Sequence, residues 1–309
     1  MEYVHFPVLL EDTIQGLNIK EDGIYVDGTL GGAGHSQKIL ERLNGKGLLI
    51  ANDLDIAAIN NAKEKLKDYK NVKYINDDYK NICKNLDDLK IDKVDGMLFD
   101  LGVSSYQIDT PERGFSYTKD AKLDMRMNQY QSLSAYEVIN MYSEKELLRV
   151  LYEYGEEKNA RKIVQKIIDQ RKEKKIESTL ELAELVANCY PAKFRYGNGN
   201  PAKKVFQAIR IEVNGELQGL EEFIKRAIMR LKPNGRLCVI TFHSLEDRIV
   251  KHAFKALGED EPYNKHLPLD YEYHKKVAEI ITKKPILGEK EVDINKRSES
   301  AKLRIIQKI

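Results

Sequence analysis

An aspartate followed by a run of small residues is the first feature of this sequence that could do chemistry. Asp27 ends a short apolar segment, and residues 28–36 (GTLGGAGHS) separate it from a stretch whose apolar residues have helical spacing. This order predicts a strand, a tight loop and a helix. Small residues let a ligand approach the backbone, and the helix start offers free N–H groups. Such a loop either binds a nucleoside cofactor or is a tight turn that binds nothing.

The charge of Asp27 bears on which cofactor the loop could hold. A dinucleotide places its pyrophosphate at the helix N-terminus and uses the spacing G-x-G-x-x-G, which residues 28–36 lack. A carboxylate at the strand end would repel a pyrophosphate, whereas it suits a ligand with a cationic end. S-adenosylmethionine carries a sulfonium and an ammonium group. The sequence therefore favours S-adenosylmethionine over NAD.

More acidic residues follow the next predicted strands. Asp53 follows the second strand, about 20 residues after the loop, where nucleotide-binding α/β folds hold two ribose hydroxyls. A helix cap is the alternative role for Asp53, although Asp55 is better placed for it. These positions predict that the carboxyl edge of a sheet carries the site.

The third and fourth predicted strands also end in candidate site residues. After the third strand, Asp77 or Asp78 could accept a hydrogen bond from an adenine amine, and Tyr79 could cover the adenine face. Each of these three could equally be an ordinary loop residue. Asp100 ends the fourth strand and belongs to the same predicted edge.

A histidine follows the fifth predicted strand. His243 stands where function would place a side chain, and a buried histidine with satisfied hydrogen bonds is an equal alternative. Ser244 with Asp247 resembles a capping box, which predicts a structural role for the serine.

Strands and helices must alternate to position these residues. The predicted strands are residues 23–26, 47–51, 72–75, 94–99 and 236–242, with two late strands at 278–283 and 303–309. The alternation predicts an α/β fold with a doubly wound, Rossmann-like parallel sheet and ligands at its carboxyl edge. The late strands could form the antiparallel ribbon that ends the methyltransferase version of such a sheet.

The alternation stops in the middle of the chain, which predicts an all-helical insertion. The predicted domains are residues 1–103 and 203–309, which form the sheet domain, and residues 104–202, which form the insertion and end in a connector at 197–201. Basic residues cluster within the insertion and directly after it: Lys158, Arg161, Lys162, Lys166, Arg171, Lys172, Lys174, Lys175, Lys193, Arg195, Lys203 and Lys204. A solvated helix face and an RNA-facing patch are equally compatible with this cluster.

Length, charge and composition limit the classes of protein to which this chain can belong. The chain has 309 residues, 42% of them hydrophobic, and a net charge of +2, which does not by itself indicate nucleic-acid binding. No apolar run approaches the ~20 residues that span a bilayer and no signal peptide is evident, so a cytoplasmic protein without membrane contact is expected. Three widely spaced cysteines predict neither a disulfide framework nor a metal site. The sequence leaves open whether the chain is a monomer or a homodimer.

The chain resembles the ribosomal RNA small-subunit methyltransferase H family. That family transfers a methyl group from S-adenosylmethionine to the exocyclic N4 of a decoding-site cytidine, and its sheet is interrupted by a helical domain. The matching segments, in order, are residues 5–11, 27–36, 100–105, 112–116, 123–127, 206–217, 242–251 and 297–304. Eight segments in the family's order are far more specific than any one of them.

The resemblance implies particular site residues and a small-subunit ribosomal RNA partner. The implied cofactor contacts are Ala33, Gly34, His35, Asp53, Tyr79, Asp100 and Gln107. Ala33 replaces a usual glycine, and its backbone is expected to serve if its φ is negative. Tyr106 replaces a common proline, which is expected to loosen the turn there, and Ala121-Lys122 replaces a usual Gly-Pro.

The chemistry of methylating a cytosine amine suggests a role for the acidic residues at the strand ends. The amine is a poor nucleophile because its lone pair is delocalised, so acceptors must hold its hydrogens and aim the lone pair at the methyl group. Our hypothesis is that Asp100 and nearby carbonyls do this, with Ser104, Ser105 or His243 positioning the base. Methylation at carbon 5 would need a cysteine nucleophile, and only Cys83 follows a predicted strand closely.

Two other functions compete with this interpretation. An NAD-dependent oxidoreductase shares the first half of the pattern, but Asp27 and the loop spacing disfavour it. A non-catalytic RNA-binding protein is compatible with the basic helices, yet it would not require Asp27, the loop and Asp53 together.

Overall fold

The computed structural model of the protein describes residues 7–192, 200–261, 275–293 and 295–309. The chain divides into two compact units. Met1–Gly102 and Gly219–Ile309 form the first, here named the sheet unit, and Val103–Gln218 form the second, the helical unit. Parts of three predicted features fall outside the described residues: His5 and Phe6 of the first matching segment, Lys193 and Arg195 of the basic cluster, and residues 197–199 of the connector.

Parallel strands form most of the sheet. The strands are β1 (Ile24–Asp27), β2 (Leu48–Asp53), β3 (Val72–Asn76), β4 (Val94–Asp100), β5 (Leu231–Thr241), β6 (Ala278–Ile280), β7 (Ile286–Leu287) and β8 (Lys302–Lys308). Their order is β3-β2-β1-β4-β5-β8-β6, and β7 also pairs with β8. β1 to β5 are parallel, whereas β8 runs antiparallel to β5, β6 and β7. The predicted doubly wound sheet with an antiparallel end is confirmed.

Two strand boundaries differ from the sequence prediction. β5 starts at Leu231 rather than at residue 236, so Pro233, which is a common turn residue, lies within the strand, where the register against β4 shifts. The predicted late strand at 278–283 ends at Ile280, and the short β7 follows it. Local turn residues are compatible with a strand that bulges, which is why the sequence misplaced the start of β5.

Helices belong to both units. In the sheet unit they are α1 (Leu10–Leu17), α2 (Gly34–Leu43), α3 (Ile56–Lys65) and α4 (Ile82–Asp88), followed after the insertion by α11 (Leu220–Met229) and α12 (Ser244–Gly258). In the helical unit they are α5 (Ser105–Asp109), α6 (Ala135–Met141), α7 (Glu144–Glu153), α8 (Ala160–Glu173), α9 (Thr179–Ala187) and α10 (Ala202–Asn214). None of the described helices is long and apolar enough to cross a lipid bilayer.

Helices cover both faces of the sheet because successive strand residues point to opposite faces. Leu98 packs in the core that contains α1, α2 and α3, whereas its neighbour Phe99 packs in the core that contains α4, α11 and α12. Both side chains are fully buried. A strand buried on both faces has a continuous apolar sequence, which is the pattern that predicted β4.

The strand order reverses between β1 and β4. The chain proceeds outward from β1 through β2 to β3 and then returns to β4 on the other side of β1. Ligands of open α/β sheets bind at such a switch point, beyond the carboxyl ends of the two strands. Asp27 and Asp100 are the last residues of β1 and β4, so the fold places both at this point.

The helical unit has its own hydrophobic core, and this core fixes the second boundary. Val205, Phe206 and Ile209 on α10 are buried in it, and α10 packs against α6, α7 and α9. The sequence predicted the boundary after residue 202, whereas residues 203–218 belong to the helical unit. Residues 203–218 show an apolar periodicity that specifies a buried face but not the element it packs against, so the periodicity could not locate the boundary.

The segment before this core is held by local hydrogen bonds. Ser104 and Gln107 form a capping box at the start of α5, so the turn that Tyr106 was expected to loosen is intact. At the Ala121-Lys122 position, the carbonyl oxygen of Ala121 accepts a hydrogen bond from Thr179 N–H, and Lys122 forms an isolated antiparallel β-bridge with Ser178.

Candidate active site

Asp27 holds the loop after β1 in place. Its Oδ2 accepts a hydrogen bond from Ser36 Oγ at 2.7 Å, and its Oδ1 accepts from Thr29 N–H at 3.3 Å. The carboxyl group is buried, and burial raises its pKa to about 6. Asp27 therefore ties β1 to the start of α2 and adds negative charge beneath the loop.

The small residues of the loop serve packing more than ligand approach. A Cβ on Gly28 would lie 2.1 Å from the ring of Phe99, and a Cβ on Gly34 would lie 2.1 Å from Pro7. A Cβ on Gly32 would meet nothing within 4 Å. Only the last of these three positions leaves open space for a ligand beside the backbone.

Ala33 contradicts the expectation of a negative φ. Its φ is +59° and its ψ is 20°, which is the left-handed conformation, and it precedes the first residue of α2. Left-handed backbone costs roughly 1–2 kcal/mol in an L-residue. The glycine that the family usually has at this position would avoid that cost.

Asp53 lies against the loop. Gly31 N–H donates to its Oδ2 at 2.8 Å, and Asp55 N–H donates to its Oδ1 at 2.8 Å. Burial raises the pKa of Asp53 to about 7. A carboxylate accepts up to about four hydrogen bonds, so these two leave capacity for ribose hydroxyls. Asp55 caps α3 by accepting from Ala57 N–H, as its position in the sequence suggested.

Asp100 carries an acceptor without a donor. Its backbone N–H donates to Thr29 Oγ1 at 2.6 Å, which fixes the end of β4 to the loop. Its Oδ1 is buried and has no hydrogen-bond partner within the described part of the chain. Burial, and then the neighbouring Asp27 and Glu246, raise the pKa of Asp100 well above its usual value. A buried acceptor left without a donor costs about 1–3 kcal/mol, so a ligand with N–H groups suits it.

The four acids at this edge favour a cationic ligand. Asp27, Asp53, Asp100 and Glu246 approach one another closely enough that neighbouring carboxylates contribute to the raised pKa values of Asp53 and Asp100. A positive charge placed among them would relieve both the burial cost and the mutual repulsion. The sulfonium and ammonium groups of S-adenosylmethionine fit this requirement, together with the unpartnered Oδ1 of Asp100.

His35 is a neutral side chain between the N-terminal segment and Asp100. Its Nε2 lies 3.1 Å from the carbonyl oxygen of Val8, and its Nδ1 lies 4.0 Å from Asp100 Oδ2. Burial lowers the pKa of His35 to about 4. Because a carbonyl can only accept, the contact to Val8 assigns the proton to Nε2 and leaves the lone pair of Nδ1 towards Asp100.

Tyr79 packs inward at the end of β3. It begins the 3-10 helix Tyr79–Asn81, and its ring centroid lies 5.6 Å from that of Phe99 and 5.0 Å from that of Phe223. The carboxylates of Asp77 and Asp78 accept hydrogen bonds from residues of the same segment. Local structure therefore explains these two acids, and the contact of Tyr79 with adenine stays a prediction.

Gln107 belongs to the helical unit. Its Oε1 accepts from Ser104 N–H at 3.0 Å, and its own N–H donates to Ser104 Oγ at 3.3 Å. These contacts explain the side chain as part of a helix cap. Its cofactor contact stays a prediction, as do the roles of Ser104 and Ser105 in positioning the base.

His243, rather than Ser244, caps α12. The Nδ1 of His243 accepts from Glu246 N–H at 3.4 Å, and its Nε2 lies 3.1 Å from Glu246 Oε1. Ser244 is the first residue inside the helix, so the predicted serine cap was wrong. The alternative of a buried histidine in a structural role accounts for these contacts, and a catalytic role stays a prediction.

The sequence did not single out three residues of this edge. Thr29 binds the backbone of Asp100, Glu246 adds a fourth carboxylate, and Asn52 binds two carbonyls. Asn52 is fully buried, and its Oδ1 has no partner within the described ranges. A polar residue inside the otherwise apolar run of β2 was the available signal for Asn52.

The fold and the site together define a class of protein. A doubly wound sheet with an antiparallel last strand, and an acidic site at its switch point, define an S-adenosylmethionine-dependent methyltransferase. The sequence model of the MraW methylase family matches residues 2–309. The chain therefore belongs to the MraW methylase family.

Curated relatives match the chain from end to end. The ribosomal RNA small subunit methyltransferase H of Clostridium botulinum is 55% identical over 310 residues, which cover 100% of both chains. The protein of the same name from Lachnospira eligens is 51% identical and covers 100% of this chain and 99% of its own. A crystal structure of an rRNA methylase from Streptococcus thermophilus covers 99% of this chain and 98% of its own, at 12% identity and a TM-score of 0.41, which is too low to bear on function.

Proposed function

We propose that this protein methylates the exocyclic N4 of a cytidine in the decoding region of small-subunit ribosomal RNA. The substrate is supported by the chain's membership of the MraW family and by its full-length relatives, which are ribosomal RNA small subunit methyltransferases H. The proposed chemistry rests on Asp100, which ends β4 at the switch point. Its buried Oδ1 has no hydrogen-bond donor among the described residues. A cytosine amine offers the N–H that this oxygen accepts.

Several of the described residues are proposed to bind different parts of the cofactor. The proposed contacts are the backbone of residues 33–35 and the side chains of Asp53, Tyr79, Asp100 and Gln107. Asp53 retains capacity for ribose hydroxyls, and the open space at Gly32 leaves the loop backbone accessible. When bound, S-adenosylmethionine supplies a methyl group on a sulfonium that is ready for transfer.

In this proposal, Asp100 orients the cytosine amine towards the methyl group. Its Oδ1 accepts one amine hydrogen, which localises the nitrogen lone pair towards the methyl group. With S-adenosylmethionine bound, the N–C bond would form as the methyl group leaves the sulfur, which would keep the electron pair. The nitrogen becomes acidic as it gains the methyl group, so no strong base is required, and Asp100 is the proposed acceptor of the proton.

The helical unit is the proposed RNA surface. Within the basic cluster, Lys172 pairs with Asp169 and Lys174 pairs with Glu181, which neutralises part of its charge. In the part of the chain that the structure describes, Lys158, Arg161, Lys166 and Lys203 are exposed and form no ion pair. Unpaired basic side chains of this kind neutralise phosphates and release counterions.

Methyl transfer into ribosomal particles tests the proposal. Small subunits from cells that lack the gene are incubated with the protein and methyl-labelled S-adenosylmethionine, and the RNA is then mapped by mass spectrometry. We expect one methyl group on N4 of a decoding-region cytidine. Label on carbon 5, or no label, would contradict the proposed reaction. A parallel reaction with RNA free of ribosomal proteins shows whether the assembled subunit is the substrate. We propose that the protein acts in the cytoplasm.

Calorimetry separates the competing functions. We expect binding of S-adenosylmethionine and no binding of NAD. Binding of NAD would favour an oxidoreductase, and binding of RNA with neither cofactor would favour a non-catalytic RNA-binding protein.

A further inference from the structure

The N-terminal segment contacts the cofactor loop through consecutive residues. Pro7 packs directly against Gly34: a Cβ on Gly34 would lie 2.1 Å from the ring of Pro7. The carbonyl oxygen of Val8 lies 3.1 Å from Nε2 of His35. Residues 7–9, here named the clamp segment, therefore touch two consecutive residues at the start of α2.

The clamp segment holds an unfavourable backbone conformation. Leu9 has a φ of 53° and a ψ of 36°, which is left-handed, and its side chain is almost fully buried. Such a conformation persists in a leucine only when its surroundings fix it. Leu9 N–H donates to Oε2 of Glu291 at 2.7 Å, a charge-assisted bond between residues 282 positions apart.

Glu291 is itself held in place. Ser298 Oγ lies 3.4 Å from the same Oε2, and the backbone carbonyl of Glu291 accepts from Asn295 N–H at 2.7 Å. Ser298 is fully buried, and a Cβ on Gly288 would lie 2.4 Å from its carbonyl oxygen. The two 3-10 helices Gly288–Glu291 and Lys296–Ser300 thus pack tightly around the carboxylate.

We propose that Glu291 is a positioning residue of the cofactor site, which it controls through the clamp segment and His35. Its carboxylate fixes Leu9, and the fixed segment presents the Val8 carbonyl to His35. That carbonyl holds His35 as the Nε2–H tautomer, so the lone pair of Nδ1 stays towards Asp100. The inference rests on the proposed function only in taking this loop as the cofactor site.

Loss of the carboxylate has a defined consequence. Leu9 N–H would lose its acceptor, and the left-handed backbone would relax and withdraw the Val8 carbonyl from His35. The loop would then have to be ordered by the cofactor itself. One hydrogen bond to a charged group is worth about tenfold in affinity, so cofactor binding should weaken by about tenfold.

Three variants test the proposal. Glu291→Ala removes the acceptor, Glu291→Gln retains one acceptor oxygen, and Glu289→Ala removes an exposed acid from the same 3-10 helix. S-adenosylmethionine affinity is measured by calorimetry. The ¹⁵N shifts of His35, assigned by their loss in His35→Gln, report its tautomer.

Only Glu291→Ala is expected to change the site. It should bind the cofactor about tenfold more weakly, and the two ring nitrogens of His35 should shift towards the average of both tautomers. Glu291→Gln should restore most of both properties, and Glu289→Ala should match the wild type.

A lowered melting temperature with unchanged affinity and unchanged His35 shifts would overturn the proposal, because Glu291 would then be structural only. The His35 shifts do not need a ligand. A protein that failed to bind S-adenosylmethionine would contradict the proposed function, while the shifts would still decide whether Glu291 fixes His35.

Discussion

At the scale of single residues, Asp100 and Ala33 show two ways in which the site departs from ordinary protein structure. Asp100 has a buried oxygen without a donor within the described residues, and Ala33 has a left-handed backbone without being glycine. Departures of this kind persist when the surroundings impose them, and they concentrate at functional sites. Each leads to a direct test by substitution.

Replacing the charge of Asp100 should slow methyl transfer. Asp100→Asn keeps the size of the side chain but loses the anionic acceptor, so the single-turnover rate should fall by about 100-fold or more. Asp95→Asn is the matched control, because this acid lies near the other end of β4, where it binds Lys232 and Ile24 N–H. Full turnover and unchanged cofactor affinity in Asp100→Asn would contradict the assignment.

Relieving the backbone of Ala33 should stabilise the protein. Ala33→Gly removes the left-handed penalty but adds freedom to the unfolded chain, so the free energy of unfolding should rise by about 0.5–1 kcal/mol. Ala62→Gly is the control, since Ala62 is equally buried but lies inside α3, where glycine should destabilise by about 1 kcal/mol or more. Denaturant unfolding measures both, and equal destabilisation would show that Ala33 is unstrained.

At the scale of elements, α8 illustrates how structure refines a charge pattern. Ile163, Val164 and Ile167 form its buried face, so its remaining positions must carry the basic residues outward. From the sequence pattern alone, all of these cations were equally plausible RNA contacts. The ion pairs Lys172–Asp169 and Lys174–Glu181 reduce the charge at one end of the helix.

The prediction for RNA binding therefore concerns Arg161 and Lys166, two exposed cations of α8 that form no ion pair with any described residue. Arg161→Glu combined with Lys166→Glu should weaken RNA binding by about tenfold or more and reduce its salt dependence, because phosphate contacts are lost. The charge-matched control is Lys283→Glu with Lys284→Glu, two exposed residues of the sheet unit. Fluorescence anisotropy at several salt concentrations measures both, and cofactor affinity should not change. Equal loss in both double variants would assign the effect to net charge alone.

At the scale of the whole molecule, the parallel sheet collects residues that are distant in the chain. Asp27, Asp53, Asp100 and Glu246 come from the ends of three strands and the first turn of α12. Each acid would be unremarkable alone on a surface. Their shared burial raises the pKa of Asp27 to about 6 and that of Asp53 to about 7.

Cofactor binding should consequently release protons. A cation bound among these acids favours their charged forms and lowers their pKa values, so groups protonated in the free protein lose protons. Affinity should therefore rise with pH through the range from about 6 to about 7. Calorimetry at about pH 6.5, in buffers of different ionisation enthalpy, counts the protons. Asp53→Asn should release fewer, and a binding heat independent of the buffer would contradict the prediction.

The parallel sheet, the helical insertion and the acids at the strand ends could all be predicted from the sequence alone. These features follow from local periodicity: an apolar run of strand length and an acid directly after it are both legible within a few residues. Asp27, Asp53 and Asp100 could therefore be placed at one edge before any contact was known.

Four features could be found only from the folded chain: the second boundary of the helical unit, the left-handed Ala33, the capping of α12 by His243 and the contact of Glu291 with Leu9. The buried face of α10 is the same whichever core receives it, and the φ of Ala33 depends on what its neighbours bind. Glu291 and Leu9 lie 282 positions apart and share no local pattern. Contacts between distant segments arise from packing of the whole chain, and a single sequence carries no periodic signal for them.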